Sequence, residues 1–174
     1  TKSGMDLEGL WERKRSLIEQ TPGLSVWRGG ETFADMAGLA NIKTFLSRLI
    51  GGKEPFRAIA FLDELEKMAG GGESSHETTQ AQQEAFLSWT QNTRALGVIL
   101  TGVAGAGKSL TAKAAGGQAG VPVVMMSLSA LRGSLVGQTE QNTRSAFKAI
   151  DAIAQGRVLL IGTCNRMGAL TPEM

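Results

Sequence analysis

One stretch of glycines, a lysine and a serine has the spacing of a phosphate-binding loop. The stretch GVAGAGKS, residues 102–109, has glycine at its first and sixth positions, followed directly by a lysine and a serine. Glycine lets backbone N–H groups approach phosphate oxygens closely, Lys108 can reach the β- and γ-phosphates, and the Ser109 hydroxyl can bind Mg²⁺. An apolar run precedes the stretch and a helical pattern follows it, as such a loop requires. The sequence therefore predicts a nucleoside triphosphate site, and a chance glycine-rich turn is the weaker alternative.

Two acidic residues, Asp63 and Glu64, directly follow the apolar run Ala58–Leu62. An aspartate at the end of a strand can hold Mg²⁺, and the adjacent glutamate can polarise a water for attack on the γ-phosphate. The alternative is a solvated helix start, for which the same two residues are ordinary. Beside a phosphate loop we favour the functional interpretation. We expect Glu66, one turn further on, to lie at the surface.

Short apolar runs alternate with helical patterns along the chain, which predicts a parallel sheet with helices on both faces. The run at residues 98–101 is predicted to be a buried strand, and residues 21–31 are predicted to form a linker because glycine and proline are frequent there. The other predicted strands are 58–62, 121–127 and 158–162, and the predicted helices are 7–20, 41–50, 81–91, 110–118 and 140–154.

Composition excludes several classes of protein. The 174 residues carry 18 basic and 16 acidic side chains, a net charge of +2. This charge is too small to indicate a protein that coats nucleic acid or a polybasic protein that binds membranes. A single cysteine excludes a disulfide framework and any cysteine-based zinc site. No apolar run approaches the ~20 residues of a membrane span. We therefore expect a soluble, cytoplasmic domain without a membrane partner, and nucleic acid is not indicated as a partner.

Spaced stretches of the chain resemble the AAA+ ATPases, specifically the AAA clade, and together they run from Phe33 to the end of the chain. The phosphate loop and the acidic pair match the two Walker motifs, and Asn165 falls on the polar residue that helps orient the attacking water. The turn before the nucleotide site, which lies near adenine in that family, matches Asp35, Met36, Ala37 and Gly38. The stretches are FADMAGLANIKTFL, FLDE with GVAGAGKS, SALRGSLVGQTEQNTRSAF and VLLIGTCNRMGALTPEM.

The resemblance implies a P-loop NTPase fold in three layers around a central parallel sheet, an AAA+ large subdomain. Residues 1–30 would be an N-terminal helix and linker, and residues 31–174 a nucleotide-binding core that is incomplete at the C-terminus and has no helical lid. The acidic strand precedes the phosphate loop, a permuted order reminiscent of some phage-type AAA proteins. The strand 58–62 would then lie between strands 158–162 and 121–127, with strand 98–101 beyond 158–162. Leu135 stands at the aromatic position of the family's pore loop.

The cofactors implied are ATP and Mg²⁺. Glu64, Lys108 and Asn165 would be catalytic, and Ser109 and Asp63 would hold the metal. The function implied is ATP hydrolysis that remodels a protein or protein–nucleic-acid assembly, by a self-associating, hexameric ring with a protein substrate or adaptor. The alternative is a nucleotide-controlled binding switch that hydrolyses little. Nucleotide contacts are expected from Asp35, Met36, Ala37, Gly38, Val103, Ala104, Gly105, Ala106, Gly107, Lys108, Ser109 and Leu110.

Several other side chains have simpler interpretations. Trp89 and Phe86 have the spacing of a core-facing helix, and Cys164 is expected to be a small buried residue at a strand end. His76 is expected in an exposed loop. Arg144 and Arg166 are candidates for contacting phosphate across a subunit boundary, with a solvated arginine as the equally good alternative.

Overall fold

The structure is a computed structural model, and it describes residues 7–68, 76–132 and 136–165. Leu135 and Arg166 lie outside the described residues. His76 begins a helix instead of lying in a loop. The elements are α1 (Leu7–Glu19), β1 (Leu24–Val26), α2 (Ala40–Ile50), β2 (Ala58–Leu62), α3 (His76–Thr93), β3 (Leu96–Thr101), α4 (Lys108–Ala119), β4 (Val123–Met126), α5 (Val136–Ala154) and β5 (Val158–Cys164), with two short 3-10 helices at Phe33–Asp35 and Leu65–Lys67.

The five strands form one sheet in the order β1-β4-β2-β5-β3. Strands β4, β2, β5 and β3 are parallel, and Ile59 in β2 pairs with Val123 on one side and Leu159 on the other. Strand β2 thus lies between β5 and β4, and β3 lies beyond β5, which is the strand order that the family resemblance implied. The carboxyl ends of β2, β3 and β5 consequently meet at one edge of the sheet.

Residues alternate between the two faces of the sheet, and each face carries its own apolar core. In β2, Ala58, Ala60 and Leu62 face α3 and α5, whereas Ile59 and Phe61 face α2 and α4. All five residues of β2 are buried. This arrangement of helix, sheet and helix is the three-layer α/β fold predicted from the alternation of elements.

The segment predicted as a linker contains a strand. Strand β1 pairs antiparallel with β4, and its Leu24 and Val26 are buried while Ser25 is exposed. Gly23, with φ of +76°, turns the chain into this strand. Three residues are too few to produce a periodic pattern, so the surrounding glycines and proline dominated the prediction.

Strand β3 is not the buried strand that was predicted. It lies at the end of the sheet, and Leu96 and Ile99 remain 47% and 40% exposed. An apolar run resembles a central strand whether or not a neighbour covers it, so the composition of the run could not show that this strand is exposed. Among the described residues, no helix combines the length and the apolar character needed to cross a membrane.

Candidate functional site

The phosphate loop, residues 102–109, connects the end of β3 to the start of α4. Gly105 and Gly107 have φ of +79° and +80°, a conformation that glycine adopts without a steric penalty. Helix α4 begins at Lys108, and Thr111 N donates its helical bond to Gly107 O at 2.8 Å. The first N–H groups of a helix have no partner within it, so this helix end can bind an anion.

Lys108 and Asn165 are in direct contact. The Lys108 ammonium donates to the carbonyl oxygens of Gly102 and Val103, each at 2.8 Å, and to Asn165 Oδ1 at 2.9 Å. Asn165 directly follows β5, the neighbour of β3. The sheet therefore brings together two residues that are far apart in sequence and that were both predicted for the site.

Asp63 lies beside Ser109. The Ser109 hydroxyl is 3.3 Å from each carboxylate oxygen of Asp63, at the end of β2. The buried hydroxyl of Thr163 donates to Asp63 Oδ1 and accepts the backbone N–H of Glu64 at 3.0 Å. Thr163, which the sequence reasoning did not select, thus connects β5 to both members of the acidic pair.

One carboxylate and one hydroxyl fit Mg²⁺, which is bound through one or two carboxylates together with substrate phosphates and retained waters. Within the described parts of the chain, no group of three or more His, Cys, Asp or Glu side chains could hold a metal by itself. The donor set formed by Asp63 and Ser109 therefore suits a cation that arrives with a phosphate ligand.

Glu64 occupies a left-handed backbone conformation, with φ of +56° and ψ of +55°, at the start of the 3-10 helix Leu65–Lys67. Its carboxylate forms an ion pair with Lys67, and both side chains are about half exposed. An ion pair this exposed contributes ~0–1 kcal/mol, so the carboxylate can exchange this partner at little cost.

Glu66, which was expected at the surface, is half-buried and contacts Asn165. Its Oε1 accepts Asn165 Nδ2 at 2.7 Å and the Asn165 backbone N–H at 3.2 Å, and its Oε2 is buried. Burial raises the pKa of Glu66, but hydrogen bonds from its own backbone, from Asn165 and from the Cys164 thiol outweigh burial and place the pKa below its usual value. The contact was not predicted because Asn165 lies far away in sequence, directly after β5.

The turn at residues 35–38 is held by local hydrogen bonds. Asp35 Oδ2 accepts the Thr32 backbone N–H at 2.7 Å and the Thr32 hydroxyl at 2.9 Å, and these bonds lower the pKa of Asp35. Met36 is buried, and its carbonyl accepts a bond from Lys43. Leu39, the residue after the turn, lies close to the phosphate loop. A Cβ placed on Gly107 would lie 3.6 Å from Leu39 Cδ1.

A pocket of about 430 Å³ opens beside the phosphate loop. Its walls come from α2 and from the exposed side of β3, and Phe45 remains 55% exposed in it. The sequence predicted the helix at residues 41–50 but not the pocket beside it. Val103 and Leu110, predicted to contact nucleotide, are exposed on the phosphate loop and the first turn of α4. The pocket is lined by Leu39, Asn41, Ile42, Phe45, Val98, Ile99, Leu100, Thr101, Ala106, Lys108 and Thr111.

The aromatic pair and the cysteine that were expected to be buried are buried in the structure. Trp89 and Phe86 are buried, and Trp89 stacks on Phe147 with ring centroids 4.5 Å apart. Cys164 is buried at the end of β5. Arg144 is exposed and pairs with Glu140 one turn earlier at 2.9 Å.

Comparison with known proteins agrees with the fold. Residues 98–161 match the family described as "ATPase family associated with various cellular activities (AAA)", a region that includes the phosphate loop and most of β5 but not the acidic pair. The chain is 31% identical over 152 residues to the ATPase family gene 2 protein homolog B of Homo sapiens, covering 83% of this chain and 19% of that protein.

Two further relatives are named uncharacterized AAA domain-containing protein ycf46. The chain is 28% identical over 145 residues to that of Gracilaria tenuistipitata var. liui, which covers 83% of this chain and 23% of the relative. It is 24% identical over 148 residues to that of Guillardia theta, which covers 85% and 23%. The chain thus spans less than a quarter of the length of these relatives.

Proposed function

We propose, from the premise that this chain contains an AAA ATPase family domain, that it binds ATP with Mg²⁺ and hydrolyses the γ-phosphate. One observation carries the proposal. The ends of three neighbouring strands bring the Ser109–Asp63 pair and the Lys108–Asn165 pair to the same edge of the sheet, at the start of α4. In open parallel α/β sheets, ligands bind at the carboxyl ends of the strands.

The phosphates would lie against the backbone of residues 102–109, with Lys108 contacting the β- and γ-phosphate oxygens. Asp63 and Ser109 would hold Mg²⁺, which neutralises charge that develops on the phosphates. The adenine ring of ATP would enter the pocket of about 430 Å³ between α2 and β3, where the Phe45 and Ile42 side chains offer apolar surface. The turn at residues 35–38 would shape this pocket by placing Leu39.

Glu64 would act as the general base on the attacking water, and Asn165 would orient that water. In the structure the Glu64 carboxylate pairs with Lys67, so catalysis requires that this exposed pair opens. A second candidate function is a nucleotide-controlled switch that hydrolyses slowly, in which Glu64 would stay paired with Lys67. The two functions differ in the dependence of turnover on Glu64.

We extend the proposal to the whole protein. Hydrolysis would drive the remodelling of a protein or protein–nucleic-acid assembly, and subunits would associate into a hexameric ring. Support for this part comes from membership of residues 98–161 in a family whose members commonly oligomerise.

The binding site is tested by Lys108→Ala. Loss of a charge-assisted contact costs ~1.5–3 kcal/mol, so the dissociation constant of Mg²⁺-ATP should rise ~10- to 150-fold. The measurement is calorimetric titration with a non-hydrolysable ATP analogue. Lys113→Ala is the matched control, because Lys113 lies on the same helix but contacts the Trp27 ring. Wild-type affinity in Lys108→Ala would disprove the site.

The catalytic assignment is tested by Glu64→Gln, which keeps the shape of the side chain and removes its charge. Analogue binding should be unchanged, and phosphate release should fall at least ~10²-fold, the usual contribution of a general base. Glu140→Gln, on the exposed side of α5, is the control. Slow wild-type turnover that Glu64→Gln leaves unchanged would instead support the switch.

A further inference from the structure

We propose that Glu66 is a positioning residue that fixes the orientation of the Asn165 side-chain amide at the phosphate loop. The proposal rests on the proposed function, in which Asn165 orients the attacking water. It arises from a continuous set of contacts from Lys108 through Asn165 to Glu66.

The Asn165 amide has two different ends, and each has a partner that accepts only one of them. Oδ1 receives a hydrogen from the Lys108 ammonium at 2.9 Å, and Nδ2 donates to Glu66 Oε1 at 2.7 Å. A lysine ammonium only donates and an ionised carboxylate only accepts. Rotating the amide by half a turn would set donor against donor and acceptor against acceptor. Glu66 and Lys108 therefore permit one orientation.

Glu66 also holds the backbone of Asn165, since Oε1 accepts the Asn165 N–H at 3.2 Å. The hydrogen bonds that lower the pKa of Glu66 keep its carboxylate ionised at neutral pH, where it can accept both bonds. Both contacts tie the residue that follows β5 to the short helix that follows β2.

The position of Glu66 depends on a glycine in the neighbouring strand. Leu65 is buried against Gly162 of β5, where a Cβ would lie 2.1 Å from Leu65 Cδ1. The absence of a side chain at Gly162 lets the 3-10 helix Leu65–Lys67 lie directly on β5. Glu66 is thereby brought to the end of that strand, where Asn165 follows.

Without the Glu66 carboxylate, the Asn165 amide can rotate while Lys108 keeps its contacts with Gly102 and Val103. Phosphate binding should therefore survive, whereas the orientation of the water should not. A misplaced catalytic group can cost ~10²-fold in rate. We expect Glu66→Ala to lower kcat ~10- to 100-fold and to leave KM for ATP within about twofold, a difference too small to represent a lost binding contact.

The experiment compares wild type, Glu66→Ala, Asn165→Ala and the double variant in steady-state phosphate release. If Glu66 acts through Asn165, the double variant should have the kcat of Asn165→Ala. Glu66→Gln, which keeps an acceptor oxygen, should recover most of the loss. Glu54→Ala, which removes an exposed carboxylate beside Arg157, should behave as wild type. A loss in the double variant equal to the product of the single losses would overturn the proposal, as would wild-type kcat in Glu66→Ala.

A second readout does not require turnover. In the ¹⁵N spectrum of the wild-type chain the two Asn165 side-chain amide protons should be well separated in shift and protected from solvent exchange. Glu66→Ala should bring the shifts together and speed the exchange, and Glu66→Gln should restore protection. An Asn165 amide that Glu66→Ala leaves unchanged would disprove the positioning role. Absence of wild-type ATP hydrolysis would disprove the proposed function alone, because the amide spectrum still tests Glu66.

Discussion

A single buried hydroxyl, that of Thr163, connects the two acidic residues of the candidate site to the adjacent strand. It donates to Asp63 Oδ1 and accepts the backbone N–H of Glu64 at 3.0 Å. One group thus fixes both the carboxylate proposed to hold Mg²⁺ and the backbone that carries the proposed base. A hydroxyl can do this because it donates one hydrogen and accepts others at the same atom.

Thr163→Val keeps the branched shape and removes the hydroxyl. The Glu64 N–H loses its partner, so the free energy of unfolding should fall by ~1–3 kcal/mol. Asp63 becomes less constrained, and half-maximal hydrolysis should require more Mg²⁺. Urea unfolding and a Mg²⁺ titration of phosphate release measure the two effects. Thr90→Val, which removes a hydroxyl bonded to Leu87 O on α3, serves as the control for stability. A wild-type Mg²⁺ requirement in Thr163→Val would contradict the expectation.

At the residue scale, the fixed spacing of a phosphate loop selected Lys108 and Ser109 as candidates, and the end of an apolar run selected the acidic pair. Thr163 and Glu66 were not predicted as site residues because their contacts join segments far apart in sequence, and local spacing does not indicate such contacts. A signal for Thr163 did exist. Residues two apart on a strand point to the same side, and Asn165 had already been selected. No comparable signal pointed to Glu66.

Among the elements, α3 packs directly against α5 on one face of the sheet. Trp89 stacks on Phe147, and Trp89 Nε1 donates to Asp151 Oδ2 at 3.0 Å. Burial raises the pKa of Asp151, which the bond from Trp89 lowers only in part. Arg144 and Lys148 border a groove between α3 and α5 that Trp89 and Asp151 also line. The pair of helices therefore contains a carboxylate whose charge is unfavourable in the folded state.

Asp151→Asn should raise the melting temperature at pH 7 by a few degrees. The folded state binds the Asp151 proton more tightly than the unfolded state does, so wild-type stability falls as pH rises through the interval above the ordinary pKa of 3.8. Asparagine does not titrate and can still accept the Trp89 bond. The gain should disappear as the pH falls below this interval.

Thermal unfolding between pH 3 and pH 7 measures the effect of Asp151→Asn. Asp35→Asn is a control with the opposite sign, because the bonds from Thr32 lower the pKa of Asp35. The stability that Asp35 contributes is present above the ordinary pKa of 3.8 and is lost as pH falls through the folded-state pKa, so Asp35→Asn should be less stable at pH 7. An Asp151→Asn protein less stable than wild type at pH 7 would contradict the prediction.

The interior strands β2, β4 and β5 were predictable because neighbours on both faces require continuous apolar runs. Strand β1 was not predicted, and strand β3 was predicted as a strand but not as an exposed one, for different physical reasons. Strand β1 is in the sheet because it pairs with β4. Its three residues are too few to show the periodic pattern of a strand. Strand β3 has the composition of a central strand at an edge position. Helices α3 and α5 begin earlier than predicted, at His76 and Val136, where polar residues weakened the periodic pattern.

At the scale of the whole molecule, we expect ATP hydrolysis to depend on protein concentration. If neighbouring subunits complete the site, as the proposed ring requires, activity per molecule should rise as the chain is concentrated and fall on dilution. A residue supplied in trans contributes ~10³–10⁵ in rate in related phosphoryl-transfer systems. Phosphate release measured across a dilution series, with light scattering for mass, tests this. Constant activity per molecule at high dilution would contradict it.

The three-layer architecture followed from the alternation of elements, since only a sheet covered on both faces buries so many short apolar strands. The order of the strands did not follow from periodicity. It was inferred from the family resemblance, and it is the order β4-β2-β5-β3 of the structure. The boundary at residue 30 between an N-terminal segment and the nucleotide-binding core remains a prediction. Strand β1, which precedes this boundary, pairs with β4 in the sheet of the core.

The exposed position of β3 affects how self-association of this chain should be interpreted. Among the described residues β3 pairs only with β5, so its outer backbone N–H and C=O groups are a template on which another chain can add a strand and aggregate. Mass that grows with concentration can therefore come from edge-to-edge polymerisation instead of ring formation. Leu96→Lys separates the two, because Leu96 is exposed outside the pocket beside the phosphate loop and a lysine on an edge strand opposes such pairing. Association that survives this substitution does not come from strand pairing at the β3 edge.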